Sequence, residues 1–128
     1  MTPPSATAHA YRENTILAAS PEQLVVMLYD GAQRFLRRAQ AAIQAHDPER
    51  AHNEIRRAEL ILAHLDGVLD DEHDPALAAR LHTIYGFCLG HAQRARIEQD
   101  SSKLEEVARL LAELRESWAQ IASGEADD

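Results

Sequence analysis

The sequence predicts an all-α protein: an antiparallel, up-down four-helix bundle preceded by an N-terminal arm. Its 128 residues are 45% hydrophobic but only 5% aromatic, and they are rich in the helix-favouring residues Ala, Leu, Glu, Arg and Gln. Apolar residues recur every three or four positions in four segments. The links between the segments are short, which favours antiparallel neighbours. We expect an arm or short cap helix over residues 1–19, the bundle over 20–123 and an acidic tail over 124–128.

The first predicted helix has a well-defined start. Ser20 and Gln23 have the spacing of a capping box, in which each side chain accepts the backbone N–H of the other residue. Pro21 suits the first helical position because its missing N–H is not needed there. The helix is predicted to run to about Ala45, since the residue before Pro48 is disfavoured in helical geometry.

The other three helices are predicted from their apolar seams. The second seam is spaced 4, 3, 4, 3 and 4 residues apart and consists of Ala51, Ile55, Ala58, Leu62, Leu65 and Leu69. The third consists of Leu77, Leu81, Ile84, Cys88 and Ala95. The fourth, for which Ser101 is the predicted cap, consists of Leu104, Val107, Leu111, Leu114, Trp118 and Ile121. Such stripes are typical of helices that pack in a bundle.

Several apolar residues are left over after the seams are assigned. A helical wheel of the first helix places six apolar residues on one side, which we expect to face the core: Leu24, Leu28, Ala32, Phe35, Ala39 and Ile43. The residues predicted to lie off the seams are Val26, Met27, Tyr29, Leu60, Ile61, Val68, Tyr85, Leu89 and Leu110. A wide core would use about half of them at its flanks, but Val26 and Leu60 are hard to place there.

The leftover residues predict surface grooves that something else fills. The arm is one candidate, through Tyr11, Ile16 and Leu17, and the apolar face of a partner helix is the other. Gly31 supports close packing in this region, because a glycine in mid-helix costs about 1 kcal/mol relative to alanine. It therefore indicates a close approach to the backbone, by a neighbouring helix or by a ligand.

Charge and cysteine content exclude several classes. The net charge of −8 disfavours binding to nucleic acid phosphates. The single cysteine, Cys88, rules out an internal disulfide and fits a reducing compartment. The N-terminal stretch lacks the pattern of a signal peptide, and no apolar run approaches the length of a membrane span. We therefore expect a cytoplasmic protein that does not insert into membranes.

No pattern of residues predicts an active site, a cofactor or a metal centre. Glu49 and His52 form a single Glu-x-x-His pair, whereas di-iron bundles need two. None of the seven histidines is paired at the spacing of one helical turn. Cys88 falls on an apolar seam, which favours a buried, inert thiol. His64 superficially resembles the histidine of a phosphotransfer bundle, but Asp66 stands nearby where that family has a lysine.

A specific resemblance comes from the stretch "AYRENTILAASPEQLVVMLYDGAQRFLRRA". It resembles the signature region of the FliS family of flagellar secretion chaperones, with Tyr11 and Asn14 in the arm, the Ser20–Pro21 cap and the "MLYDG" run from Met27 to Gly31. Looser similarity covers "RAELILAHLDGVLD", "LHTIYGFCLGHAQRA" and "LLAELRESWAQI". The link "DDEHDPALAARL" departs from the family pattern, which has a glycine-containing link there.

The resemblance implies an export chaperone that is not an enzyme. Such a protein would hold the C-terminal segment of flagellin, which is disordered when free, and prevent its premature polymerisation. The arm would cover part of the binding surface when flagellin is absent, with export-gate or regulatory flagellar proteins as further candidate partners. A monomer or weak homodimer is expected. The alternatives are a phosphotransfer bundle that uses His64 and a helical adaptor that homodimerises.

Overall fold

The structure, a computed structural model, describes residues 19–124. Within this range the regular elements are four helices: α1 (Pro21–Gln44), α2 (Pro48–Gly67), α3 (Pro75–Glu98) and α4 (Ser101–Ser123). The predicted all-α, four-helix architecture is confirmed. The predicted arm and most of the acidic tail lie outside the described residues. None of the four helices is long and apolar enough to cross a membrane.

Side chains that cap the helix starts account for the helix boundaries. The predicted capping box is present, with Ser20 Oγ accepting the Gln23 N–H at 3.2 Å and Gln23 Oε1 accepting the Ser20 N–H at 2.8 Å. Aspartates cap the other three helices. The prediction of Ser101 as a cap was wrong by one residue: Asp100 accepts the N–H of Ser102 at 3.0 Å. A carboxylate there also complements the positive end of the helix dipole.

The helices form a ring in which α1 packs against α2 and α4, and α3 packs against the same two helices. Side-chain pairs show that α1 and α4 run antiparallel. Asp30 pairs with Arg115, and Gln40, ten residues further along α1, pairs with Glu105, ten residues back along α4. α1 and α2 also run antiparallel, because Gly31 faces Ile61 and Phe35, four residues further along α1, lies under Arg57, four residues back along α2. The up-down order therefore brings the start of α1, the end of α2, the start of α3 and the end of α4 to one end of the bundle.

The core differs from the predicted seams in α1 and α3, and at the end of α4, where Ile121 is 45% exposed. In α1 the fully buried apolar residues are Tyr29, Ala32, Leu36, Ala39 and Ala42. In α3 they include Leu81, Tyr85 and Cys88, while Leu77 is exposed. The predicted seam of α2 is buried from Ala51 to Leu65. Of the predicted α1 seam, Leu24 is 36% exposed, while Leu28, Phe35 and Ile43 are half-buried and pack against the core.

Candidate binding grooves

An apolar groove runs between α1 and α2. This α1–α2 groove has a volume of about 500 Å³ and is lined by Leu24, Met27, Leu28, Gly31, Arg34, Phe35, Ile61 and His64. Leu24 and Met27 are 36% and 37% exposed, and they lie together in this groove, so they form part of one apolar patch. The groove is therefore an apolar surface open to solvent at the start of α1.

The depth of the α1–α2 groove depends on Gly31. A β-carbon at this position would lie 3.3 Å from Ile61 Cδ1. Glycine therefore lets Ile61 settle against the backbone of α1 and form the floor of the groove. The predicted close approach at Gly31 is real, and the group that makes it is a side chain of α2.

The far end of the α1–α2 groove is basic and aromatic. The guanidinium carbons of Arg38 and Arg57 lie 5.7 Å and 5.8 Å from the centre of the Phe35 ring, within cation–π range. Arg57 also donates to Glu54 at 3.0 Å. Since Arg34 lines the groove one residue before Phe35, positive charge collects at this end.

A second, smaller groove lies between α1 and α4. This α1–α4 groove has a volume of about 320 Å³ and is lined by Gln23, Val26, Met27, Ala119, Ala122 and Ser123. Its surface is mostly apolar, and Val26 in it is half-buried. Met27 lines both grooves and forms the ridge between them. Both grooves thus meet at the first turns of α1, which residues 1–18 immediately precede in the chain.

The structure separates the predicted groove residues that it describes into four groups. Val26, Met27, Gly31 and Ile61 line the grooves, and Leu60 and Val68 are exposed on α2. Leu89 and Leu110 are half-buried and pack against the core. Tyr29 and Tyr85 were wrongly placed off the core, because both are buried in it. The arm residues lie outside the described part of the chain, namely Tyr11, Asn14, Ile16 and Leu17.

Sequence reasoning missed the three large apolar side chains that line the α1–α2 groove from the predicted α1 seam, Leu24, Leu28 and Phe35. They were assigned to the core seam because the helical wheel groups them with Ala32 and Ala39. Their place at the groove could have been predicted from the small size of the alanines that share the core face of α1. A face that combines a buried tyrosine with alanines allows close helix packing, and it leaves bulky side chains at the flanks.

Buried polar groups in the bundle centre are structural. Tyr29 and Tyr85 share a hydrogen bond, and burial is the main cause of the raised pKa of both phenols. Burial also raises the pKa of the Cys88 thiol to about 11, so the reactive thiolate is scarce near neutral pH.

At the α2–α3 link, His82 contacts two carboxylates, with Nδ1 2.5 Å from Asp66 and Nε2 2.8 Å from Asp71. Hydrogen bonding to these carboxylates raises the pKa of His82. The carboxylate of Asp66 therefore contacts His82 on α3. His64, the histidine of the phosphotransfer alternative, lines the α1–α2 groove together with Ile61. Over residues 19–124, no group of three or more His, Cys, Asp or Glu side chains is arranged to hold a metal ion.

Comparison with known proteins gives the family. The model of the family described as flagellar protein FliS matches residues 4–125. The flagellar secretion chaperone FliS of Bacillus subtilis is 30% identical over 119 residues, which cover 93% of this chain and 88% of the relative. That of Salmonella typhimurium is 32% identical over 111 residues, covering 86% and 82%. The four-helix chain with its two apolar grooves therefore belongs to the FliS family of flagellar secretion chaperones.

Proposed function

We propose that this protein binds the C-terminal segment of flagellin in the cytoplasm and keeps it from polymerising before export. The observation that carries the proposal is the pair of apolar grooves that meet at Met27 at the start of α1. A flagellar secretion chaperone needs a flagellar client, meaning the protein chain that it holds. The grooves offer such a client an apolar surface that the bundle itself leaves uncovered.

The shape of the α1–α2 groove suits a helical client. Its length along α1 from Leu24 to Phe35 is about 17 Å at 1.5 Å per residue, which corresponds to about three turns of a client helix. Helices that bind in grooves present apolar side chains at positions i, i+3 or i+4 and i+7. The apolar side chains of the client helix would pack against Leu24, Leu28 and Ile61, in the way that a neighbouring helix of the bundle would.

The energetics favour a long client that makes many modest contacts. Burial of each leucine-sized side chain contributes about 1.5–3 kcal/mol. Ordering a disordered segment opposes this by about 2–5 kcal/mol or more. Several apolar side chains are therefore needed before binding becomes tight, and the two grooves together supply that area. The flexible side chain of Met27 can adapt to both sides of the ridge.

A segment longer than one groove would follow the apolar surface around the bundle. Leu60 and Val68 are exposed on α2 and would be covered by such a wrapped client. We propose that Tyr11, Ile16 and Leu17 of the arm compete with the client for the same surface. Binding and competition would then occur at the first turns of α1.

The direct test is calorimetric titration of the full-length protein with the C-terminal segment of flagellin from the same organism. We expect one-to-one, submicromolar binding with a large negative heat-capacity change, which marks apolar burial coupled to folding. Flagellin that lacks this segment is the matched control and should give no heat. Absence of binding by the segment, or equal binding by the truncated flagellin, would contradict the proposal.

A second measurement tests the consequence for assembly. Flagellin seeded with filament fragments should polymerise more slowly when the chaperone is equimolar, and the inhibition should saturate at one chaperone per flagellin. Leu24→Asp places a charge in the α1–α2 groove at a residue that contributes little to the core, so it should relieve the inhibition. Unimpaired inhibition by this variant, shown to be folded by circular dichroism, would exclude the α1–α2 groove as the site.

A further inference from the structure

We propose that the α1–α2 groove selects a client helix that carries acidic side chains beside its apolar stripe, and that Arg34 and Arg38 receive them. This inference rests on the proposed function, because it concerns how the same groove recognises flagellin. It specifies the chemistry of the client segment: apolar residues for the start of the groove and carboxylates for its basic end.

The first observation is the distribution of charge along α1. The protein carries 21 acidic against 13 basic residues, yet the stretch from Gly31 to Gln44 contains no Asp or Glu. It contains three arginines: Arg34, Arg37 and Arg38. The second half of α1 is therefore a locally positive segment in a strongly negative protein, and it borders the α1–α2 groove.

The second observation is that Arg34 and Arg38 have no carboxylate partner among residues 19–124. Other basic side chains at helix interfaces do have one. Arg115 lies 2.6 Å from Asp30, and Arg96 lies 3.1 Å from Glu59. Exposed arginines on α3 also lack partners, but they border none of the described apolar grooves. Arg34 and Arg38 are both unpaired with a carboxylate and located at the groove. A client helix bound there would place its own carboxylates beside them.

The third observation is that Phe35 orders this end of the groove. Arg38 and Arg57 both lie over its ring, so their guanidinium groups are held near one place. A planar guanidinium that rests on an aromatic ring keeps its N–H edge available for a carboxylate. The guanidinium of Arg57 already forms an ion pair with Glu54. The guanidinium groups that remain available to a client carboxylate are mainly those of Arg34 and Arg38.

The apolar walls strengthen this recognition once the client is bound. A helix in the groove excludes water from its floor, and charge pairs at the edge of such a region attract more strongly than in bulk water. The apolar floor at Leu28 and Ile61 argues against nucleic acid as the occupant, as does the overall negative charge. An acidic, amphipathic helix can pack its apolar side chains on the floor of the groove and pair its carboxylates with the arginines at the basic end.

The experiment compares two charge-matched double variants. Arg34→Gln with Arg38→Gln removes two charges at the groove, and Arg80→Gln with Arg94→Gln removes two from exposed positions on α3. Each is titrated with the C-terminal flagellin segment of the same organism at low and high salt. We expect the groove variant to bind about two- to thirtyfold more weakly at low salt, as two exposed ion pairs would allow, with a flatter salt dependence. The α3 variant should bind like wild type.

Each other outcome has a definite meaning. Wild-type affinity in the groove variant, or equal losses in both variants, overturns this inference while flagellin binding stands. If wild type itself does not bind the segment, the proposed function fails and takes this inference with it. A segment whose Asp and Glu are changed to amides should lose the salt dependence. If amidation of its C-terminus has that effect instead, the contact belongs to the chain-end carboxylate, and the inference is wrong.

Discussion

The phenolic oxygens of Tyr29 on α1 and Tyr85 on α3 lie 2.5 Å apart in the centre of the bundle, and both side chains are buried. The two helices are not neighbours in the ring of four, so this hydrogen bond connects them across the core. Because the bond fixes two positions on opposite helices, it also fixes their relative height. Tyr29 therefore lies on the face of α1 that points into the bundle.

The Tyr29–Tyr85 pair should behave as a coupled unit in unfolding. Either single change to phenylalanine leaves one buried hydroxyl without its partner, and we expect each to lower the free energy of unfolding by about 1–3 kcal/mol. The double change removes both hydroxyls, so it should cost less than the sum of the two. Urea unfolding followed by circular dichroism gives the three values. Additive losses would show that the bond contributes nothing to stability.

The same tyrosines show where sequence reasoning reached its limit for the fold. The start of α1, the seam of α2 from Ala51 to Leu65 and the four-helix architecture follow from local patterns, and the structure confirms them. The core face of α1 does not follow, since six successive apolar residues, Leu24 to Tyr29, offer more than one possible face. Which face becomes core depends on the directions of α2 and α4, and these are tertiary information.

Prediction of the site was limited for a related reason. Val26 and Met27 were identified because they lie opposite the predicted seam, and they do line the grooves. Phe35 was assigned to the core; it packs against the core from its flank, and it also lines the α1–α2 groove beneath two arginines. A rotation of the helix by one residue's angle exchanges core and flank positions, and the wheel alone has no means of fixing that angle.

Gly31→Ala should alter the groove more than the fold. The added methyl group would lie 3.3 Å from Ile61 Cδ1 and push it into the α1–α2 groove, while the better helix propensity of alanine offsets part of the cost. We expect a change in the free energy of unfolding of at most about 1 kcal/mol, together with weaker flagellin binding by titration. Ile61→Val removes the crowding atom. In that background Gly31→Ala should stabilise the protein; if it destabilises, the contact is not the limiting one.

His82 should make the α2–α3 link sensitive to pH. Its pKa is raised above the usual 6.5 because the charged ring is favoured by hydrogen bonds to Asp66 and Asp71. A raised folded-state pKa means that the stabilisation is complete below 6.5 and is lost as the pH rises through the higher value. Wild type should therefore exceed His82→Gln in stability at pH 6, and the difference should shrink in alkaline buffer.

Unfolding in urea over a series of pH values measures this difference. The exposed His52 supplies the control, because His52→Gln should follow the wild-type pH profile. A constant gap between wild type and His82→Gln at all pH values would contradict the ionic origin of the contact.

Cys88 should be unreactive while the bundle is folded. Its thiol is fully buried, and burial raises its pKa to about 11, so both access and the thiolate fraction are low at pH 8. We expect slow reaction with a disulfide reagent such as dithionitrobenzoate in native buffer and rapid reaction in urea. Prompt native reaction would mean that α3 opens locally. If so, labelling should slow when flagellin stabilises the bundle.

Val26→Asp should weaken flagellin binding and leave the bundle folded. Val26 is half-buried in the α1–α4 groove and does not belong to the fully buried core. A client that covers this position would have to desolvate the new carboxylate and would lose the valine contact, a cost of about 1–3 kcal/mol or about five- to 150-fold in affinity. Ile97→Asp is the matched control: this side chain is 73% exposed near the end of α3, at the opposite end of the bundle, and its change should leave affinity intact. Equal affinity of Val26→Asp and wild type by titration would place the client in the α1–α2 groove alone, with Met27 as its boundary.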